Sequence, residues 1–396
     1  MSTISGMSTT FNQPNYHGEL IQLTPYDTPL LSMAGGLTPG SGMETKAKAF
    51  EWQAEDLRSP AIRARLEGAT APAAEGRARS NYTNQCQIFQ EKVSTSYTEQ
   101  AAIAGYTTAG VDGGDNPVVD PHSHQVELAL RTIARDVNYA MWHSVKNAPS
   151  DNTVARTMGG LLSVIPAGNK SGTVVTGLST GASNIISETG TALSNGDRVV
   201  FTAPPAELRY DIAYYVVNKA TDSFKVALTS GGTAITIADS QTGIAYVKAA
   251  TTLTDTLINT VVQSIFDNGG MSEGDTATMF VSSTQKAKLT AVYAALYGKA
   301  NTYAGTRNVA GLNLQTLQTD FGLLNVVIER ALPPDAIAFA SMEQIDPVFL
   351  SIPGKGVLFE EALAKTGAAE KAQIYGEIGL SYGNPYAHGV IRGLAL

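Results

Sequence analysis

Two strand-like runs, ETKAKAFEWQ from Glu44 to Gln53 and a second from Tyr82 to Tyr97, enclose the stretch RSPAIRARLEGATAPAAEGRARS, which no single domain can take into its own core. Alternation puts Phe50 and Trp52 on one face of the first run, and the second carries Ile88, Phe89 and Val93, so the pair reads as the legs of a long hairpin over 44–98. At its tip, Arg58, Arg63, Arg65, Arg77 and Arg79 stand among Ala, Gly and Pro, with almost no large apolar residue. Ordering backbone costs roughly 1–2 kcal/mol per residue, whereas an exposed ion pair contributes only about 0–1 kcal/mol. Such a tip needs a surface supplied by another molecule. Asp56, Glu67 and Glu75 dilute its charge and no aromatic residue lies among the arginines for bases to stack on, which favours pairing between subunits over nucleic acid. The candidate inter-subunit contacts are therefore Phe50, Trp52, Ile88 and Phe89 on the legs and the five arginines at the tip.

Composition points the same way. Charged residues are 16% of 396, against roughly 25% in an ordinary soluble chain, so much of the surface is neutral and suited to cover by other chains. A net charge of -8 argues against wrapping nucleic acid, which needs clustered Lys and Arg. The single cysteine, Cys86, excludes an intrachain disulfide and a cysteine-built zinc site. No Lys or Arg precedes Lys46 and the opening residues lack an apolar stretch, so no export signal is expected. Apolar runs such as LLNVVI (Leu323 to Ile328) fall far short of the roughly 20 residues that span a bilayer, and no membrane segment is expected.

Along the chain, residues 1–43 carry Phe11, Tyr16, Ile21, Leu23, Tyr26, Leu30 and Leu31 but are interrupted by Pro14, Pro25, Pro29 and Pro39, the pattern of an extended arm. Asp120 followed by Pro121 predicts a helix start, and the stripe Val126, Leu130, Ile133, Val137, Met141, Val145 carries the helix to about Asn147, within a unit over 99–170. Residues 171–250 change character: eleven Thr, eight Gly and eight Val, with turn signals at Ser194 to Asp197 and at Gly231-Gly232, predict an inserted all-β domain. Over 251–396, helices near Thr254 to Asp267 and Ser283 to Tyr297 alternate with strands at 278–281, 323–329, 336–340 and within 373–382. The host is thus an α+β body.

Chemical motifs are out of context. Gly177-Leu178-Ser179-Thr180-Gly181 matches a nucleophile elbow, but no helix pattern follows it and no His occurs between His143 and His388. A hydrolase built on Ser179 is therefore a remote alternative. His122 and His124 lack further metal ligands nearby, Asp112 to Asn116 lacks the ligands of a calcium loop, and Gly354-Lys355-Gly356 lacks the spacing of a phosphate loop. No catalytic residue, metal or cofactor is expected.

Read in order, the host segments resemble the tailed-bacteriophage major capsid proteins with the Hong Kong 97 fold. The resemblance rests on FEWQAEDLRSP, SNYTNQCQIFQEKV, ALRTIARDVNYAMW, ARTMGGL, VSSTQKAKL, TDFGLLNVVIERALPPD and EEALAKTGAAEKAQIYGEIGLSYGNPYAHGVIRGL, spread over most of 40–165 and 250–396. GDRVVFTAP and AYYVVNKATDSFKVALTSGG look like a small β module that recurs in phage virion proteins. The resemblance implies an N-terminal arm (1–43), an extended hairpin loop (44–98), a peripheral domain with a spine helix at about 121–147 (99–170), the β insert (171–250), and an axial domain with return strands of the peripheral domain (251–396). It further implies a subunit that forms hexamers and pentamers of an icosahedral head around double-stranded DNA, assembled in the host cytoplasm and touching that DNA only weakly. A separate scaffolding protein, a portal and a decoration protein are the implied partners. An encapsulin-like compartment, enclosing a cargo protein, is the alternative on the same fold.

Overall fold

The computed structural model describes residues 23–38, 40–55, 57, 60–73, 76, 79–101, 120–209, 212–271, 277–297, 315–365 and 367–396. A short helix, α1 (Pro29–Met33), buries Leu30 and Leu31 and leads to β1 (Met43–Thr45), β2 (Ala49–Glu55), β3 (Arg79–Gln85), β4 (Gln87–Ser96) and the single turn α2 (Tyr97–Ala101). The long helix α3 (Pro121–His143) begins where its cap predicts: the Asp120 carboxylate accepts the His122 N–H at 3.0 Å and Pro121 takes the first helical position. It stops at His143, before the expected Asn147, because Ser144 turns extended and Asn147 is bridged to Thr157 by two backbone hydrogen bonds of 3.0 and 3.2 Å. Ala129, Ile133, Val137, Met141 and Trp142 form its buried face, whereas Leu130 and Val145 are 38% and 55% exposed.

After α4 (Leu161–Val164) and β5 (Lys170–Ser171), six strands close into a barrel: β6 (Val174–Gly181), β7 (Ile185–Ser187), β8 (Arg198–Ala203), β9 (Ala213–Val217), β10 (Ser223–Ala227) and β11 (Thr242–Lys248), in the order β10-β7-β6-β11-β8-β9. Closure leaves no free sheet edge. Ile186, Val199, Val216 and Val226 fill the interior around Phe201, Tyr214, Phe224 and Tyr246, whose rings meet edge to face at 5.5 to 6.3 Å. Both ends of this segment attach to one short stretch of the C-terminus: Arg392 N–H donates to Ser171 O (2.9 Å), and Thr251 N–H donates to Gly393 O (2.9 Å). Gly393 is required there. Its φ is +74°, and a Cβ would lie 2.9 Å from Lys248 O.

The remainder comprises α5 (Asp255–Asp267), β12 (Ala277–Val281), α6 (Ser283–Tyr297), β13 (Thr316–Thr319), β14 (Gly322–Ile328), β15 (Ile337–Ser341), β16 (Asp346–Leu350), β17 (Leu358–Ala362), β18 (Ala369–Ser381) and β19 (Gly389–Ile391). One sheet runs β13-β14-β12-β15-β19-β5, with Val261 and Ile265 of α5 packed so tightly on Gly389 that a Cβ there would meet Ile265 at 2.7 Å. The other sheet runs β1-β16-β18-β17. Along its outer side β4 pairs with β18 from Ser96↔Ala369 to Gln87↔Ile378. The helix α3 packs across β4 and β18, and the largest core lies between them. This is the expected α+β body, with strands β13, β16, β17 and β19 added to those read from the sequence.

Candidate assembly interface

The hairpin leaves the body as a two-stranded ribbon, β2 paired with β3 from Ala49↔Gln85 to Glu55↔Arg79. Its root is fixed by Asn84, fully buried, whose amide donates to Gly159 O (3.1 Å) and Leu380 O (2.6 Å) while its oxygen accepts from Gly159 N–H (2.7 Å). Trp52 is half-buried. Its indole N–H donates to Gly383 O at 2.8 Å and its ring meets Tyr382 edge-on at 4.7 Å. Phe50 stacks beside it at 6.0 Å and fills the recess at Gly379, where a Cβ would lie 2.6 Å from the Phe50 ring. Phe89 is 7% exposed in the core beneath α3.

These placements show how far the subunit itself covers each leg residue. Phe89 is buried in its own core, whereas Phe50 and Trp52 are partly covered, in a recess that glycines and a tyrosine some 300 residues away in sequence supply. Alternation tells which residues share a face, not who covers it. Ile88, which points the other way on β4, is 44% exposed and remains available. Behind the root, Arg156 donates to Cys86 O (2.7 Å) and pairs with Glu377, which also accepts from the Tyr375 hydroxyl (2.7 Å). Burial pushes the Cys86 thiol up to about 12, a neutral and unreactive group. The roles of Asn84, Arg156, Glu377 and Tyr382 have no local sequence signal, since each depends on partners far along the chain.

Beyond the ribbon, residues 57 and 60–73 form neither helix nor strand and are all exposed. The tip also carries more apolar surface than the sequence reading allows: Leu57 is 83% exposed, Leu66 86% and Ile62 fully so. Arg63 and Arg65 lie among them, exposed, and Arg79 bridges the ribbon to Glu55 at 3.4 Å. Arg58 and Arg77 lie outside the described residues.

The arm docks through α1. Leu31 N–H donates to Asn138 Oδ1 (3.1 Å) on α3, and Leu30 N–H donates to Glu329 (3.3 Å). Glu329 is fully buried and also accepts from Asn138 Nδ2 (3.3 Å) and Ala331 N–H (3.0 Å). Burial pushes its carboxyl above the ordinary range, against the opposing pull of these donors. Residues 1–22 of the expected arm lie outside the described residues.

Of the remaining motifs, Asp112 to Asn116 lie outside the described residues. Ser179 sits within β6, paired with Ser187 and Thr242, and His122 contacts the Thr95 hydroxyl at 3.2 Å. Among the described residues, no group of three or more His, Cys, Asp or Glu is placed to hold a metal ion, and no helix is long and apolar enough to cross a membrane.

The sequence profile of the family described as SU10 major capsid protein matches residues 3–395. No curated protein matches by sequence. Among solved structures, the capsid subunit of cyanophage A-1(L) is similar with a TM-score of 0.57 and 12% identity, over 98% of this chain and 99% of that one. The capsid subunit of cyanophage P-SCSP1u gives 0.51 and 11%, over 99% and 96%. At these identities the likeness shows the fold alone. The encapsulin SrpI of Synechococcus elongatus PCC 7942 gives 0.45 and 9% identity, over 97% of this chain and 92% of that one, and carries no argument.

Proposed function

Because the chain belongs to the SU10 major capsid protein family and is a shell-forming subunit of a phage head, we propose that its hairpin tip is the element by which one subunit grips the next. The observation that carries this reading is the exposure of Leu57, Ile62 and Leu66 on one loop, whose described residues form almost no backbone hydrogen bonds with one another. Three large apolar side chains left in solvent on one projecting loop are suited to cover by another chain. Arg63, Arg65 and Arg79 set the register of that contact, and Ile88 belongs to the surface offered to a neighbour. Trp52, Phe50 and Phe89 act one step back, holding the ribbon at a fixed angle to the body.

On this reading identical subunits close as hexamers and pentamers around double-stranded DNA, on a separate scaffolding protein and with a portal. The barrel over 174–248 is an inserted domain on the outer surface, a platform where a decoration protein would sit. The chain catalyses nothing. Electron microscopy of particles from the expressed chain, with scaffold supplied, tests the proposal. Closed shells of ring-shaped capsomers are expected, containing nucleic acid when taken from virions. Localisation of the chain to a tail, as a minor component, overturns it.

A further inference from the structure

At the seam between the barrel and the body lies a recess of about 120 Å³. One side of it comes from the parallel ladder of β5 with β19. Lys170 stands beside Val390, and Arg392, two residues on, keeps to the same face, its N–H still donating to Ser171 O at 2.9 Å. His143 at the end of α3 forms a wall, held by a hydrogen bond from its Nε2 to Ala331 O at 2.6 Å. The barrel contributes Thr202. On β8, Val199 and Phe201 point into the barrel, so Val200 and Thr202 point out of it. Val200 is nevertheless fully buried, and its ladder partner Val247 lies against Gly393, so this outer face of the barrel rests on the body.

The recess is cationic. Arg392, 7% exposed, commits Nε and Nη2 to the fully buried Asp335 at 3.0 and 3.3 Å, and Asp335 also accepts Gly393 N–H at 2.8 Å, so that carboxylate is already engaged. Lys170 is half-buried, and neither its ammonium nor the Thr202 hydroxyl has a hydrogen-bond partner among the described residues. No carboxylate is among the described residues that line the space. Burial and the nearby guanidinium hold the Lys170 ammonium below the ordinary lysine value. An ammonium withdrawn from water beside a second cation costs free energy unless an anion joins them. One water needs about 10–15 Å³ of such space, so the recess takes several non-hydrogen atoms, the size of a phosphate group. Lysine, arginine and hydroxyl donors suit the oxygens of such a group.

We propose that this recess binds a phosphate oxyanion, held by the Lys170 ammonium, the Arg392 guanidinium and the Thr202 hydroxyl, and that the bound anion ties the barrel to the body. The site stands apart from the role of the hairpin.

Calorimetric titration of sodium phosphate into the full-length, unassembled chain tests the proposal, with sodium chloride of equal ionic strength as the control. One equivalent is expected to bind, and the thermal midpoint is expected to rise by about 2 °C or more at ten times the dissociation constant, with no such rise in chloride. Lys170→Met is expected to raise the midpoint in phosphate-free buffer, because it removes a like charge, and to abolish the response to phosphate. Thr202→Val, which leaves both cations in place, is expected to weaken phosphate binding about fivefold or more. A 5′-phosphorylated oligodeoxynucleotide separates the sources of the anion. Binding of it that Lys170→Met abolishes makes a nucleic-acid phosphate the occupant, and phosphate binding without it makes the free ion the occupant. Absence of phosphate binding to the unaltered chain, or a midpoint rise reproduced by chloride or retained in Lys170→Met, would overturn the site.

Discussion

At Trp52, one side chain joins the ribbon to the body through an indole hydrogen bond and an edge-on contact with Tyr382. Trp52→Phe is expected to lose about 1 kcal/mol, the contribution of a hydrogen bond, and Trp52→Ala about 3 kcal/mol through lost packing as well. Denaturation of the unassembled subunit measures both. An effect confined to assembly would return Trp52 to the inter-subunit surface. Asp136 makes an opposite case. Burial raises its carboxyl above the ordinary value, and burial and the charge of Asp136 raise Glu91. A carboxyl whose folded pKa lies above its unfolded one stabilises most below the unfolded value, and that contribution is lost as pH rises through the folded one. Asp136→Asn is therefore expected to make the isolated subunit more stable at neutral pH. It should flatten the decline in stability as pH rises through the raised pKa of this carboxyl, read as denaturation midpoint against pH. Neither role is legible in sequence: the recess for Trp52 is built by Gly383 and Tyr382, and the proximity of Glu91 to Asp136 exists only once α3 lies on β4.

Among the elements, what the sequence makes legible is what local chemistry decides. Asp120 and Pro121 announce the start of α3 because a cap acts within three residues. Its end is set by the bridge from Asn147 to Thr157, ten residues ahead, so the apolar stripe alone overruns it. The β-rich character of 171–250 is plain from its Thr and Val content. Closure into a barrel depends on β6 pairing with β11 across some sixty residues, and no local pattern encodes that. The attachment of both ends to Arg392 and Gly393 gives a direct expectation. Because the junctions are already adjacent, replacing 174–248 by a short Gly/Ser linker closes a small loop at little entropic cost. The trimmed chain should stay soluble and keep the circular-dichroism signal of α3, α5 and α6. Loss of that signal would mean that the barrel is part of the host core.

At the scale of the whole molecule, three packed cores contrast, among the described residues, with a projecting loop that packs on nothing. The sheets around β18 and β12 bury their apolar faces under α3 and α5, and the barrel buries its own. The tip leaves Leu57, Ile62 and Leu66 in solvent, and from Pro60 to Ala73 a single backbone hydrogen bond, Ala69 N–H to Leu66 O at 3.1 Å, is formed among the described residues. Amides in such a segment exchange at nearly unprotected rates until another surface covers them. Amide hydrogen exchange across residues 60–73, compared between unassembled subunits and closed shells, therefore shows whether this loop is covered by a neighbour. Fast exchange in the free subunit and marked slowing in the shell are expected. Equal rates in the two states would contradict a grip between subunits made by this loop.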